Sequence, residues 1–374
     1  MADFDLIVVG AGVMGCATAY HAARSGARVL LLEQYHIGHN QGSSHGPSRI
    51  IRLAYAGLHY VLLSRAAFQA WRDIEEDSGE QLLVTAGGLD FGAPDVVSLE
   101  RTRSSLRAAH VGFEEVDRAA ILKQFPQFNL PDDVVGIYQA DTAILDADRC
   151  VATLALLAKR CGTAIVQGTK VDLLEPTPGG IVVHTMSGRF YASRAVVAVG
   201  SWLKTLTVHL GLDLPLRVSK EQVAYFRPRN PQLFGVGRFP IMIEHNKDSR
   251  FRSGFPLYRS EGVKLMIESK TAPLDSQHVD AARLEELRSY VGTLLPDLGE
   301  IIKADTCRYT MTPDEDFILD YHPDHPQIVL ASPCSGHGFK FAALFGMILS
   351  DMAFERTPAH DIRVFRLNRP GLRV

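Results

Sequence analysis

The first residues able to do chemistry are glycines. Gly10, Gly12 and Gly15 form G-x-G-x-x-G directly after the apolar run Leu6 to Val9. In this spacing the first glycine makes a tight turn, the second lets the backbone approach a pyrophosphate, and the third lets a helix pack closely on its strand. A helix starting there aims free N–H groups and a partial positive charge at phosphates. Glu33 closes a second apolar run, Arg28 to Leu32. A carboxylate at that point accepts from both ribose hydroxyls and disfavours the 2′-phosphate of NADP. The same glycines could serve a strand-helix turn without ligand. Strand, turn, helix, second strand and acid all stand in register, however, and this favours a dinucleotide. The motif does not separate NAD from FAD.

Other reaction signatures are missing from the sequence. There is no Gly-x-Ser-x-Gly elbow and no P-loop. His36 and His39 have a metal-like spacing without a Cys or carboxylate cluster, so no metal is expected. The cysteines are Cys16, Cys150, Cys161, Cys307 and Cys334, an odd number with neither zinc nor redox-pair spacing. Cys16, Cys150 and Cys161 are expected to be buried structural thiols.

The elements that must position these residues follow from apolar patterning. A chain of 374 residues suits two interlocked domains. A helix is predicted from about 16 to 25, ended by Gly26. Gly180 to Met186 and Arg189 to Tyr191 read as a hairpin turning at Ser187-Gly188. Ala195 to Val199 reads as a separate buried strand, with the helix from about 148 to 161 as its neighbour. From about 216 to 320 apolar and polar residues alternate, as in a mixed or antiparallel sheet, interrupted by a helix near 281–295. Gln327 to Ser332 is a further buried strand, leading into Gly336-His337-Gly338 and an apolar helix from 341 to about 354. The predicted class is α/β (α+β). A dinucleotide-binding domain is assembled from residues 1–85, 145–215 and 321–374, and a substrate domain from 86–144 and 216–320.

With 39 basic and 42 acidic residues, the formal charge of −3 gives no general attraction to nucleic acid or an anionic membrane. The run Phe341 to Leu349 is broken by Gly346 and is shorter than the ~20 residues that span a bilayer. Asp3 and Asp5 stand where a secretory signal carries basic residues, and Leu372-Arg373-Val374 is not a peroxisomal address. The expected compartment is the cytoplasm.

Four blocks of sequence carry a family resemblance over nearly the whole chain. They are the glycine motif; Gly42-Ser43-Ser44-His45-Gly46-Pro47-Ser48-Arg49-Ile50-Ile51-Arg52; Cys307-Arg308-Tyr309-Thr310 with Thr312 to Phe317; and Ser335-Gly336-His337-Gly338-Phe339-Lys340-Phe341. Together they resemble the monomeric sarcosine oxidase family, which includes N-methyltryptophan oxidase and pipecolate oxidase. The resemblance selects FAD over nicotinamide and implies a Rossmann-like, glutathione-reductase-like FAD fold with an inserted substrate domain. It places His45 and Arg49 against the isoalloxazine and Arg52 with Lys340 on the substrate carboxylate. It puts Lys264 near flavin N5, where a buried cation activates O2. It makes Cys307 the site of an 8α thioether link, with nearby positive charge lowering the thiol pKa. Val13, Met14, Gln34, Ser43, Ser44, Ile50, Val171, Gly200, Trp202, Gly336, His337, Gly338 and Phe339 complete the expected cofactor contacts.

Two positions depart from the family pattern. Ser253 stands before Gly254-Phe255-Pro256 where sarcosine oxidases carry a tyrosine, and Glu268 stands four residues after Lys264 in place of a histidine. The smaller Ser253 makes room for a substrate larger than sarcosine. Glu268 either lines the cavity, where it would pair with a substrate cation, or faces solvent. The expected enzyme is a monomer that oxidises a secondary or N-alkylated amino acid with O2, giving an imine that hydrolyses, and H2O2. A flavin dehydrogenase serving a quinone or carrier protein and a non-catalytic FAD-binding subunit are the alternatives.

Overall fold

The computed structural model describes residues 3–270, 272 and 278–372. The first strand, β1 (Phe4–Val9), is apolar throughout its last four residues because it is buried on both faces. It lies between β2 (Val29–Leu32) and β12 (Gly188–Val197), both parallel to it. β9 (Ala164–Val166) extends the parallel sheet beyond β2, and β19 (Ile328–Ser332) extends it beyond β12. β18 (Ile318–Tyr321) adds to β19 antiparallel, and β10 (Val171–Thr177) and β11 (Gly180–Thr185) add to the first half of β12. Strand alternation splits the core: Leu6, Val8 and Leu31 face one layer, Ile7, Val9 and Leu32 the other. On the first face α1 (Val13–Arg24) packs against α5 (Ala147–Arg160) and α8 (Ala342–Ala353). α6 (Leu203–Val208) supplies Leu203 and Leu206 to the second.

A second eight-stranded sheet runs β17 (Leu298–Met311), β13 (Arg217–Pro228), β16 (Val263–Ile267), β15 (Arg252–Phe255), β14 (Ile241–Glu244), β5 (Gly88–Gly92), β7 (Val135–Gln139), β6 (Glu114–Asp117). All neighbours are antiparallel except β14 and β5. One face is apolar: Val263, Leu265, Ile267, Ala224 and Phe226 pack with Leu287 and Val291 of α7 (Ala281–Leu294). The alternate residues of β16, Lys264 and Met266, therefore point the other way, toward the first sheet. α3 (Val97–Ala108) and α4 (Arg118–Gln124) flank this sheet's far end. A three-stranded sheet of β3 (Arg49–Ile51), β8 (Ala143–Leu145) and β4 (Leu83–Thr85) and the long α2 (Leu58–Ser78) complete the elements used below.

The structure corrects several expectations. Residues 189–191 and 195–197 belong to one continuous strand, β12, because β11 and β19 share the same edge of it. α5 packs chiefly on α1, its apolar stripe covering the helix layer. The boundary expected at residue 320 falls inside β18, whose partner β19 draws it into the first sheet. Cys161 caps the C-terminal end of α5 and is exposed, unlike Cys16 and Cys150.

Candidate active site

The glycine turn is built by close contact. Gly10 has φ of 97°, and a Cβ on it would stand 2.7 Å from Ala198 O. A Cβ on Gly15 would stand 1.7 Å from Gly10 O, so the start of α1 can lie against β1 only with glycine there. Buried Glu33 holds the turn from below: Oε2 accepts from the Ala11 N–H at 2.8 Å and Oε1 from the Tyr35 N–H at 2.9 Å. Ser44 Oγ accepts from the Val13 N–H at 3.1 Å, tying the loop 42–48 to the start of α1.

A cavity of about 800 Å³ extends from this turn between the two large sheets, within the range that holds a sizeable cofactor. Its lining includes Gly10, Gly12, Val13, Met14, Glu33, Gln34, Ser43, Ser44, His45, Arg49, Ile50, Arg52, Val171, Gly200, Trp202, Ser253, Lys264, Glu268, Cys307, Gly336, His337, Gly338, Phe339 and Lys340. Of the expected catalytic, substrate and cofactor contacts, Gly15 alone lies off the wall, behind Gly10. The donor set suits a dinucleotide with a flat polar ring. The wall carries a carboxylate, a glycine turn at a helix start, and His45 Nε2, a buried polar atom with no partner among the described residues.

Lys264 and Cys307 face the cavity from adjacent parts of the second sheet. Lys264 Nζ donates to Ser48 O at 3.2 Å and lies 4.7 Å from the centre of the Phe255 ring. Burial, helped by the Arg49 cation, lowers its pKa to about 7. The same two causes lower His45 to about 4, so this ring is neutral. Arg49 donates to the carbonyls of Ser48, Ser43 and His45, which fixes the loop around its guanidinium. Cys307 departs from expectation. Burial pushes its thiol up, and Arg49 and Lys264 offset this only in part.

Cations gather at another part of the wall. Arg52 Nη1 pairs with Asp90 Oδ1, and its guanidinium carbon lies 5.3 Å from the Tyr55 ring centre. Lys340 Nζ donates to Tyr55 Oη and to His337 O, both at 2.8 Å. Burial and the Arg52 cation hold its pKa well below the usual lysine range. Glu268 faces the cavity, its side chain 16% exposed, with Lys270 Nζ 3.6 Å away and Oε2 without a hydrogen-bond partner among the described residues. Burial raises its carboxyl to about 7. Ser253, paired with Met266 across β15 and β16, opens onto the same space.

Sequence reasoning passed over Tyr55, Ser48, Asp90 and His245. Asp90 left one usable signal, an acid between Leu89 and Phe91 in a strand otherwise apolar or glycine.

Comparison with known proteins decides the family. The model for "FAD dependent oxidoreductase" matches residues 5–352. The chain belongs to the FAD-dependent oxidoreductase family. Within it the chain is 31% identical to N-methyl-L-tryptophan oxidase of Salmonella arizonae, with 98% of this chain and 99% of the relative covered. It is 33% identical to human peroxisomal sarcosine oxidase, covering 98% and 96%. It is 30% identical to monomeric sarcosine oxidase of a Bacillus species, covering 99% and 97%. The solved open form of NikD, an amino acid oxidase essential for nikkomycin biosynthesis, superposes with a TM-score of 0.88 at 27% identity, over 98% of each chain.

Proposed function

We propose that the chain is an FAD-dependent oxidase of a secondary or N-alkylated amino acid larger than sarcosine, with the flavin linked through Cys307. The observation that carries this reading is one cavity holding both the glycine turn with Glu33 and the two basic side chains Arg52 and Lys340. The names of the sarcosine and N-methyl-L-tryptophan oxidases supply the substrate class.

In this reading Glu33 Oε2, which accepts only the Ala11 N–H, keeps a lone pair for a ribose hydroxyl, while Oε1 takes the Tyr35 N–H and lies 3.3 Å from His39 Nε2. FAD held at the glycine turn, Glu33 and Ser43–Ser44 would supply the redox chemistry, as acceptor of a hydride equivalent from the substrate carbon next to nitrogen and donor of electrons to O2. Arg52 and Lys340 hold the substrate carboxylate by charge-assisted hydrogen bonds. Tyr55 fixes the Lys340 ammonium, and the carboxylate thereby orients the amine. His45 and Arg49 would border the flavin ring, with the Arg49 guanidinium held in place by the Ser43, His45 and Ser48 carbonyls. Gly336 and Gly338 bring backbone to the cavity from the turn before Phe339–Phe341. Among the described residues no helix is long and apolar enough to cross a membrane. We take the enzyme to work as a cytoplasmic monomer, which fractionation and gel filtration would check.

The test is a panel of N-alkyl and cyclic secondary amino acids. At least one should yield H2O2 equal to the O2 consumed. Substrate-dependent bleaching of the flavin without H2O2 would mean a dehydrogenase, and no bleaching by any member would mean a non-catalytic subunit.

Glu268 sets the expected preference within that panel. Its carboxyl, raised to about 7, is neutral below that pH and ionised above it. A basic substrate should therefore gain over a neutral one as pH rises from 6 to 8. Glu268→Gln should remove the gain and raise KM for the basic substrate ~10-fold, the loss of one hydrogen bond to a charged group. Equal changes for both substrates would place Glu268 outside the recognition site.

A further inference from the structure

Beside Arg52 a hydrogen-bonded chain starts at buried Asp90 and continues through His245 to Ser98, both of which border the cavity. Asp90 Oδ1, which contacts Arg52 Nη1, also lies 2.8 Å from Nε2 of His245. The other nitrogen of that ring, Nδ1, lies 3.0 Å from Ser98 Oγ. Asp90 is 4% exposed and His245 3%, so water scarcely competes for the bond between them, while the bond to Ser98 is half-buried. The fold sets the geometry. Ile243 of β14 stands opposite Asp90 of β5, and His245, two residues on, projects from the same face. The His245 N–H bonds Phe91 O at 2.8 Å, and the Phe251 ring meets the imidazole edge-on at 5.1 Å. Ser98 is the second residue of α3.

The directions of the bonds follow from chemistry. A carboxylate only accepts, so Nε2 carries the proton, and Nδ1 accepts from the Ser98 hydroxyl. Burial alone would raise the Asp90 carboxyl, but Arg52 and His245 outweigh it and hold it ionised. The serine meets Nδ1 and the aspartate Nε2, the reverse of the arrangement in a nucleophile-activating triad, and here the aspartate also pairs with Arg52. Among the described residues Arg52 forms no hydrogen bond besides the one to Asp90, which leaves its remaining donors for a ligand.

We propose that Ser98, His245 and Asp90 are positioning residues that lock the Arg52 guanidinium in place to receive a ligand carboxylate. This rests on the reading of Arg52 as a carboxylate anchor. A guanidinium on a flexible stem loses rotamer freedom on binding, and a rigid support removes that loss before the ligand arrives. The relay touches no reacting atom, so it acts on affinity and not on the chemical step.

The experiment titrates the FAD-loaded protein with propionate and, as an uncharged isostere, propionamide, both read by the flavin absorbance change. His245→Leu should weaken propionate about tenfold and leave propionamide within about twofold, as for loss of support to one charged contact. His245→Gln, which can still donate to Asp90 and accept from Ser98, should restore most of the difference. Ser98→Ala, a milder variant, should move propionate in the same direction by a smaller factor. With substrate, KM should rise while kcat holds. If Arg52→Met weakens propionate but His245→Leu and Ser98→Ala do not, the relay fails alone. It also fails if His245→Leu weakens both ligands equally. If Arg52→Met leaves propionate unchanged, the anchor reading falls, and the relay falls with it.

Discussion

Lys264→Met should slow the consumption of O2 by the reduced enzyme by ~10²–10³-fold, the scale seen when one preorganised charge donor is removed, while reduction by substrate changes a few-fold at most. The side chain is buried, its ammonium held by the Ser48 carbonyl and hydroxyl and set over the Phe255 ring. A cation so fixed stabilises negative charge arriving on O2 without reorganising solvent. Its pKa, lowered to about 7, adds a second mark. The charged form prevails below that pH, so the O2 reaction should decline as pH rises through 7. Stopped-flow measurement of each half-reaction separates the two steps. Comparable losses in both would mean that Lys264 supports the fold of the site and not the O2 step.

Cys307→Ser should convert a flavin that stays with the acid-precipitated protein into one that leaves wholly in the supernatant. The position on β17, opposite Glu221 of β13, points the thiol at the cavity near Arg49 and Lys264. A thioether would form from the thiolate with loss of a proton from the 8α methyl, the two electrons passing to the flavin and then to O2, and burial keeps this thiol above the ordinary range. Attachment to cofactor-free protein should therefore be slow at neutral pH and faster at pH 9. If the wild-type flavin itself stays in the supernatant, no link exists at Cys307.

The parts of the site that were legible in the sequence are those set by local backbone chemistry. Gly10 and Gly15 admit no other side chain, and that constraint is visible in their spacing. The direction of Glu268 was also within reach. Lys264, Met266 and Glu268 recur with the period of a strand, and placing Val263, Leu265 and Ile267 in the core sends the other three to the cavity. What could not be read was long-range pairing. Arg52 meets Asp90 across 38 residues and Asp90 meets His245 across 155, and no local pattern encodes either. α2 was passed over although Tyr60, Ser64, Ala67, Trp71 and Ile74 recur at helical spacing. β12 reads as two pieces because its first half is largely exposed and polar and its last residues are buried and apolar.

The chain crosses between its two large sheets repeatedly, and this orders events during synthesis. The glycine turn emerges first, but the wall that faces it includes Cys307 and the turn at Gly336–Gly338. β19, which completes the parallel sheet beside β12, is also made near the end. Translation at ~5–20 residues per second thus leaves a half-built nucleotide pocket waiting tens of seconds for its other side. Capture of the cofactor is accordingly a late step, and a ribosome stalled before residue 336 should hold a chain that binds little flavin.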